Sequence, residues 1–128
     1  MATITEDFVS FETAKLLKEK GFNEPTTCVY HKGGTFDRIA LNTWNDKFIT
    51  PICAPTLQMA MKWLREVHKL YINIWADPKD VESNDFDIIF RAQVYNGTSN
   101  YGTYEFSTYE EAAETAIKYC LENLIYDS

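Results

Sequence analysis

The chain has 128 residues, 45% of them apolar and 24% charged, with a formal net charge of −7. Those values fit one globular domain spanning residues 1–128, long enough to bury a core without disulfide staples. They argue against general nucleic-acid binding, because so acidic a surface repels a phosphate backbone unless its cations are gathered on one face.

In chain order, "VSFETAKLLKEKGF" predicts a helix capped by Ser10 and stopped by Gly21, with Phe11, Ala14 and Leu17 on one stripe and Leu16 beside it. "NEPTT" breaks the chain. "CVYHKGGTFDRIAL" reads as a hairpin with a two-residue Gly33-Gly34 turn, which sets His31 opposite Phe36 and Val29 opposite Arg38. "KFITPI" reads as a short third strand ended by Pro51. Pro55 fits the first turn of a second helix, where its missing N–H costs nothing, and Leu57, Ala60, Met61, Leu64 and Val67 follow at helical spacing. "LYINIWAD" predicts a strand ended by Asp77-Pro78. In "DFDIIFRAQVY", Phe86, Ile88, Phe90, Ala92 and Val94 form one face, and Asp87, Ile89, Arg91, Gln93 and Tyr95 the other. "NGTSNYG" reads as a loop and "TYEF" as a returning strand. Thr108 and Glu111 have capping-box spacing, and Tyr109, Ala112, Ala113, Ala116, Ile117, Cys120, Leu121 and Leu124 make a wide apolar stripe behind them.

The order α-β-β-β-α-β-β-β-α with short turns predicts an α+β domain: a mostly antiparallel sheet of five to six strands with three helices on one face. Two near-copies, AMKWLRE from Ala60 to Glu66 and AIKYCLE from Ala116 to Glu122, suggest a degenerate internal ββα repeat. Small residues let each helix sit close to the sheet while Lys and Glu face water, so the repeat marks a fold rather than a site.

Catalytic signals are weak. Cys28, Cys53 and Cys120 are odd in number and widely spaced, which argues against a disulfide framework and a zinc knuckle. Cys120 reads as a small core hydrophobe. His68 ends a helix and complements its dipole; His31 reads as a cross-strand packing residue. "HKGGTFDR", with His31, Lys32 and Arg38, could present backbone N–H groups and positive charge to an anion, but a strand rather than a helix follows, so a plain hairpin is preferred. The acidic run "DPKDVESNDFD" lacks the glycine and closing Glu of a calcium loop and reads as solvated. No catalytic residue, metal or cofactor is expected. The start shows neither a basic leader nor a signal-length apolar stretch, and no segment approaches the roughly 20 apolar residues of a membrane span. The expectation is a cytoplasmic protein without membrane contact.

The strongest pattern is a sheet face. With eight Tyr, eight Phe and three Trp, the chain has more aromatics than a core this size readily hides. If Ile72, Ile74 and Ala76 join Phe86, Ile88 and Phe90 beneath the helices, then Tyr71, Asn73 and Trp75 stand on the opposite face beside Ile89, Arg91, Gln93 and Tyr95. Aromatics mixed with an Arg and amides are the composition of a recognition surface or subunit interface. The competing reading is that the first hairpin folds over this face and buries it.

Three segments, "ITEDFVSFETAKLLKEKGFNEP", "APTLQMAMKWLREVHKLYI" and "TYEEAAETAIKYCLENLI", resemble a family of short uncharacterised proteins from gut Bacteroides and their phages and prophages. The resemblance covers about half of the chain, leaves out the middle hairpin and the loop from Asp77 to Asp85, and transfers no catalytic residue. It implies a phage or prophage accessory protein in the cytoplasm of a bacterial host. Together these readings lead to an expected non-enzymatic, homo-oligomeric binding protein that inhibits host defence by holding a host protein or a small nucleotide signal. The alternatives are a small enzyme with an unrecognised site and a structural protein acting through self-association.

Overall fold

The computed structural model describes residues 6–42, 52–79, 87–102 and 104–125. Helix α1 (Phe11–Glu19) begins where the Ser10 hydroxyl accepts the Thr13 N–H, and it ends at Gly21, which has a φ of 95°. There the Phe22 N–H returns to the Leu17 carbonyl and the Gly21 N–H to Lys18, so the last orphan carbonyls are satisfied. Thr13, Ala14 and Leu17 are buried, while Phe11 and Leu16 are half-buried. The predicted stripe is therefore rotated slightly, because the Thr13 hydroxyl turns inward to the Glu114 carboxylate at 2.6 Å.

Strands β1 (Thr26–Tyr30) and β2 (Phe36–Asn42) form the expected hairpin, but its loop is one residue longer than the Gly33-Gly34 turn. His31 closes the loop by donating its N–H to Thr35, the Gly34 N–H donates to the His31 carbonyl, and both glycines have positive φ. The extra residue shifts the register by one. Tyr30 faces Phe36, Val29 faces Asp37 and Cys28 faces Arg38, so neither predicted pair, His31 with Phe36 or Val29 with Arg38, forms. Among the described residues the third strand, β3, is Ile52–Cys53, and it pairs with β1. The rest of "KFITPI" lies outside the described residues.

Pro55 precedes α2 (Leu57–His68) instead of occupying its first turn, because Thr56 is the cap and accepts the Met59 N–H. Leu57, Ala60, Met61 and Leu64 are buried as their spacing predicts. Val67 is 55% exposed, and Trp63 takes the remaining inward position against Phe22. Lys69 then turns the chain through the left-handed region, φ 57°, straight into β4 (Tyr71–Pro78). β4 pairs antiparallel with β5 (Ile88–Tyr95), from Tyr71 opposite Tyr95 to Pro78 opposite Ile88, without a register break. Phe86 and most of the acidic run lie outside the described residues.

The next strand, β6, is Asn100–Tyr101, inside the predicted loop; among the described residues of "TYEF", Phe106 alone bridges β5, exchanging both backbone hydrogen bonds with Phe90. Between Tyr101 and Phe106 the chain carries one residue more than β5 does between Val94 and Phe90, an excess of the kind that makes a bulge, with Gly102 at φ 76°. Helix α3 (Tyr109–Tyr119) starts on the predicted capping box: Thr108 Oγ1 accepts the Glu111 N–H, while the Glu111 carboxylate accepts the N–H of Ser107 rather than that of Thr108. A π-helical turn over Cys120–Leu124 follows.

The fold is α+β, and among the described residues it has three helices and six strands that divide into two antiparallel three-stranded sheets, β2-β1-β3 and β4-β5-β6, rather than one. The first sheet has its first strand in the centre and the second its middle strand, so the two described sheets differ in strand order. The repeated phrases share three buried positions, Ala60 with Ala116, Met61 with Ile117 and Leu64 with Cys120, but differ where buried Trp63 meets half-buried Tyr119 and exposed Arg65 meets buried Leu121. Helix α3 lies on β4 and β5 and packs on both α2 and α1, while α1 rests on β3. Glu114 ties α3 to α1 by accepting from the Ser10 N–H and the Thr13 hydroxyl. No helix among the described residues is long and apolar enough to cross a membrane.

Candidate functional site

Because β4 and β5 run in continuous register, period-two alternation assembles the predicted face in cross-strand pairs. Tyr71 is opposite Tyr95, Asn73 opposite Gln93, and Trp75 opposite Arg91. The other parity, Ile72 with Val94 and Ile74 with Ala92, belongs to the helix side and packs into or against the main core. Tyr71 and Tyr95 remain 38% and 40% exposed, with ring centroids 6.5 Å apart. The packing of the described elements does not fold β1 and β2 over this face; that hairpin belongs to the other sheet.

Two residues of the acidic class complete the arrangement. Asp77 Oδ2 accepts from the Trp75 indole N–H at 3.0 Å and from Arg91 Nε at 2.9 Å, and Arg91 Nη2 reaches Glu105 at 3.4 Å. One carboxylate thus holds the indole and the guanidinium in fixed orientation. The Trp75-x-Asp77 spacing puts both on one strand face and was available as a signal. Glu105 was not, because it arrives from beyond the bulge.

Arg91 is therefore balanced by two carboxylates, and an anion placed on it would meet Asp77 and Glu105. Two concave features lie elsewhere: an apolar notch lined by Val94, Tyr101, Tyr104 and Phe106, and an open groove between Phe8, Leu57 and the carboxylates of α3. Small ligands bind in concave, largely enclosed sites, whereas flat aromatic faces suit proteins.

At the end of β5 the expected sides do not hold. Ile88, predicted beneath the helices, is 50% exposed, while Ile89 is buried. The core contacts of β5 end at Phe90, the partner of Phe106, so Ile88 lies beyond the cover of the helices.

His31, Lys32 and Arg38 sit at the far end of the first sheet, apart from these residues. His31 Nε2 lies 3.1 Å from Asp37 Oδ2, a diagonal contact made possible by the shifted register, and the Arg38 N–H donates to Asp37 Oδ1. His31 is thus held by a carboxylate rather than packed on Phe36, which instead stacks edge-on against Tyr30. His68 does not act as a charged complement to the α2 dipole. Its ring stands edge-on to Trp63 at 4.7 Å, its Nε2 is buried with no hydrogen-bond partner among the described residues, and burial lowers its pKa, favouring neutral imidazole. Cys120 is fully buried and its thiol is pushed up to about 12 by burial, so it stays protonated. Cys28 and Cys53 are buried as well. No family model, curated protein or solved structure matches this chain, so its function is argued from residues and geometry.

Proposed function

We propose that the protein is a non-enzymatic binding protein that holds a partner protein on the face formed by Tyr71, Asn73, Trp75, Arg91, Gln93 and Tyr95. The observation that carries this reading is the fixation of half-buried Trp75 and Arg91 by Asp77 on a sheet face whose Tyr71, Asn73 and Tyr95 are exposed. Side chains already held in place lose little entropy on binding, and Trp, Tyr and Arg are the residues that anchor interfaces. The pairing of Arg91 with two carboxylates favours a protein over a small nucleotide signal as the ligand. The further reading, a phage or prophage accessory factor that acts on a host protein and inhibits host defence, is part of the same proposal and rests on the sequence alone.

The test is recovery of partners from host cells by the tagged full chain, with mass spectrometry of bound proteins and nucleotides. Trp75→Ala and Arg91→Ala, checked for folding by circular dichroism, should lose the recovered protein. Retention by both folded variants would overturn the assignment, and a nucleotide retained in place of a protein would favour the sequestration reading. Substrate turnover abolished at His31 or His68 would instead support the enzyme alternative.

A further inference from the structure

The second sheet has an edge with unusual properties. In the order β4-β5-β6, β4 is outermost, eight residues long, and unbroken in register along its whole pairing with β5. Among the described residues no strand pairs with its other side. Exposed edges are normally blunted by lysines, bulges, shortness or an internal proline, because unpaired N–H and C=O groups template another strand. "YINIWADP" has no lysine or arginine, no bulge, and a proline only at its last position.

We infer that the β4 edge pairs with the β4 edge of a second copy of this chain, antiparallel about a two-fold axis at Asn73. Face parity admits only registers that oppose odd residues to odd and even to even, since any other would set the aromatic face beside the helix-covered one. Within that set, an axis at Ile72 would oppose Tyr71 to Asn73 and leave Trp75 beyond the end of the second strand. An axis at Ile74 would oppose Tyr71 to Asp77 and Asn73 to Trp75. The axis at Asn73 opposes Tyr71 to Trp75 of the second copy, Ile72 to Ile74 and Asn73 to itself. Like meets like for ring, aliphatic and amide. The pairing is isologous and closes as a dimer. It would join the two sheets in the order β6-β5-β4-β4-β5-β6 and make the two aromatic faces continuous.

This inference rests on the edge and not on the proposed partner-binding face, which one copy could present alone. The experiment keeps them apart by reading only association of the purified full chain. All three native cysteines are buried, so an introduced surface thiol reports alone. Under mild oxidation Asn73→Cys should form a disulfide-linked dimer, since directly opposed Cα atoms in a ladder lie at about 4.5–5.5 Å, within disulfide range. Tyr71→Cys or Trp75→Cys alone should not cross-link, whereas an equal mixture of the two should. By ultracentrifugation the parent should be dimeric, and Asn73→Lys, which places like charges across the axis, should weaken the dimer by about tenfold or more with its circular dichroism unchanged. A monomeric parent overturns the inference. So does cross-linking of Asn73→Cys no faster than that of Tyr71→Cys, even if Asn73→Lys were to misfold.

Discussion

Along β1, Cys28 and Val29 are neighbours in sequence and both are fully buried, so both faces of the first sheet are covered. Tyr30 and Ile52 turn toward the helices, Val29 and Cys53 the other way. From Arg91 to Tyr95 in β5 burial alternates: Ala92 and Val94 are buried, Arg91 and Gln93 half-buried, and Tyr95 exposed. Consecutive burial identifies a strand whose residues are committed to stability on both sides. Alternating burial with aromatics on the open side leaves a face that is stable without being used up. A functional surface can be placed on the second sheet because the helices already support it from behind.

The sharpest way to break that comparison is to put a charge into each central strand. Val29→Asp should destabilise the protein by about 4 kcal/mol, since an unpaired carboxylate would be buried, while Gln93→Asp should change stability by about 0.5 kcal/mol or less. Urea denaturation reads both, and equal losses would mean that the second sheet is closed too. On the open face, Trp75→Ala should weaken partner binding by about 2 kcal/mol or more while leaving the fold intact. On the closed side, Cys120→Ala should cost about 1 kcal/mol through lost packing, and the native thiol should resist labelling. Rapid labelling would show that the helix covering the second sheet opens readily.

The smallest effect is that of His68, which packs on Trp63 near the start of β4. Its pKa is lowered in the folded protein by burial, so the folded state binds fewer protons than the unfolded chain. The stability it confers is complete above the ordinary histidine value of about 6.5 and is lost as the pH falls through the lower folded value. A melting curve that declines on acidification below about pH 6.5, with a shallower decline in His68→Phe, is the expected result. An identical pH dependence in the variant would place His68 in solvent.

Local features were legible in the sequence because their causes are local. Ser10 and Thr108 cap helices through hydrogen bonds three residues ahead, Gly21 takes the positive φ at a helix end, and strand alternation alone put Tyr71, Trp75, Arg91 and Tyr95 on one side. A near miss of one residue was enough to lose the first hairpin, where the longer loop moved His31 from Phe36 to Asp37. Tertiary structure alone decided the division of six strands into two sheets, since hydrophobic pattern states which side of a strand is buried and not which strand lies beside it. It also decided that Trp63 rather than Val67 faces inward on α2, because the available space is set by Phe22 from another element. The charge balance of the aromatic sheet face was settled in the same way. Arg91 is a free cation in the sequence and a neutralised one in the fold, because Coulomb attraction and hydrogen bonding act through space, and the bulged segment brings Glu105 to it from 14 residues away.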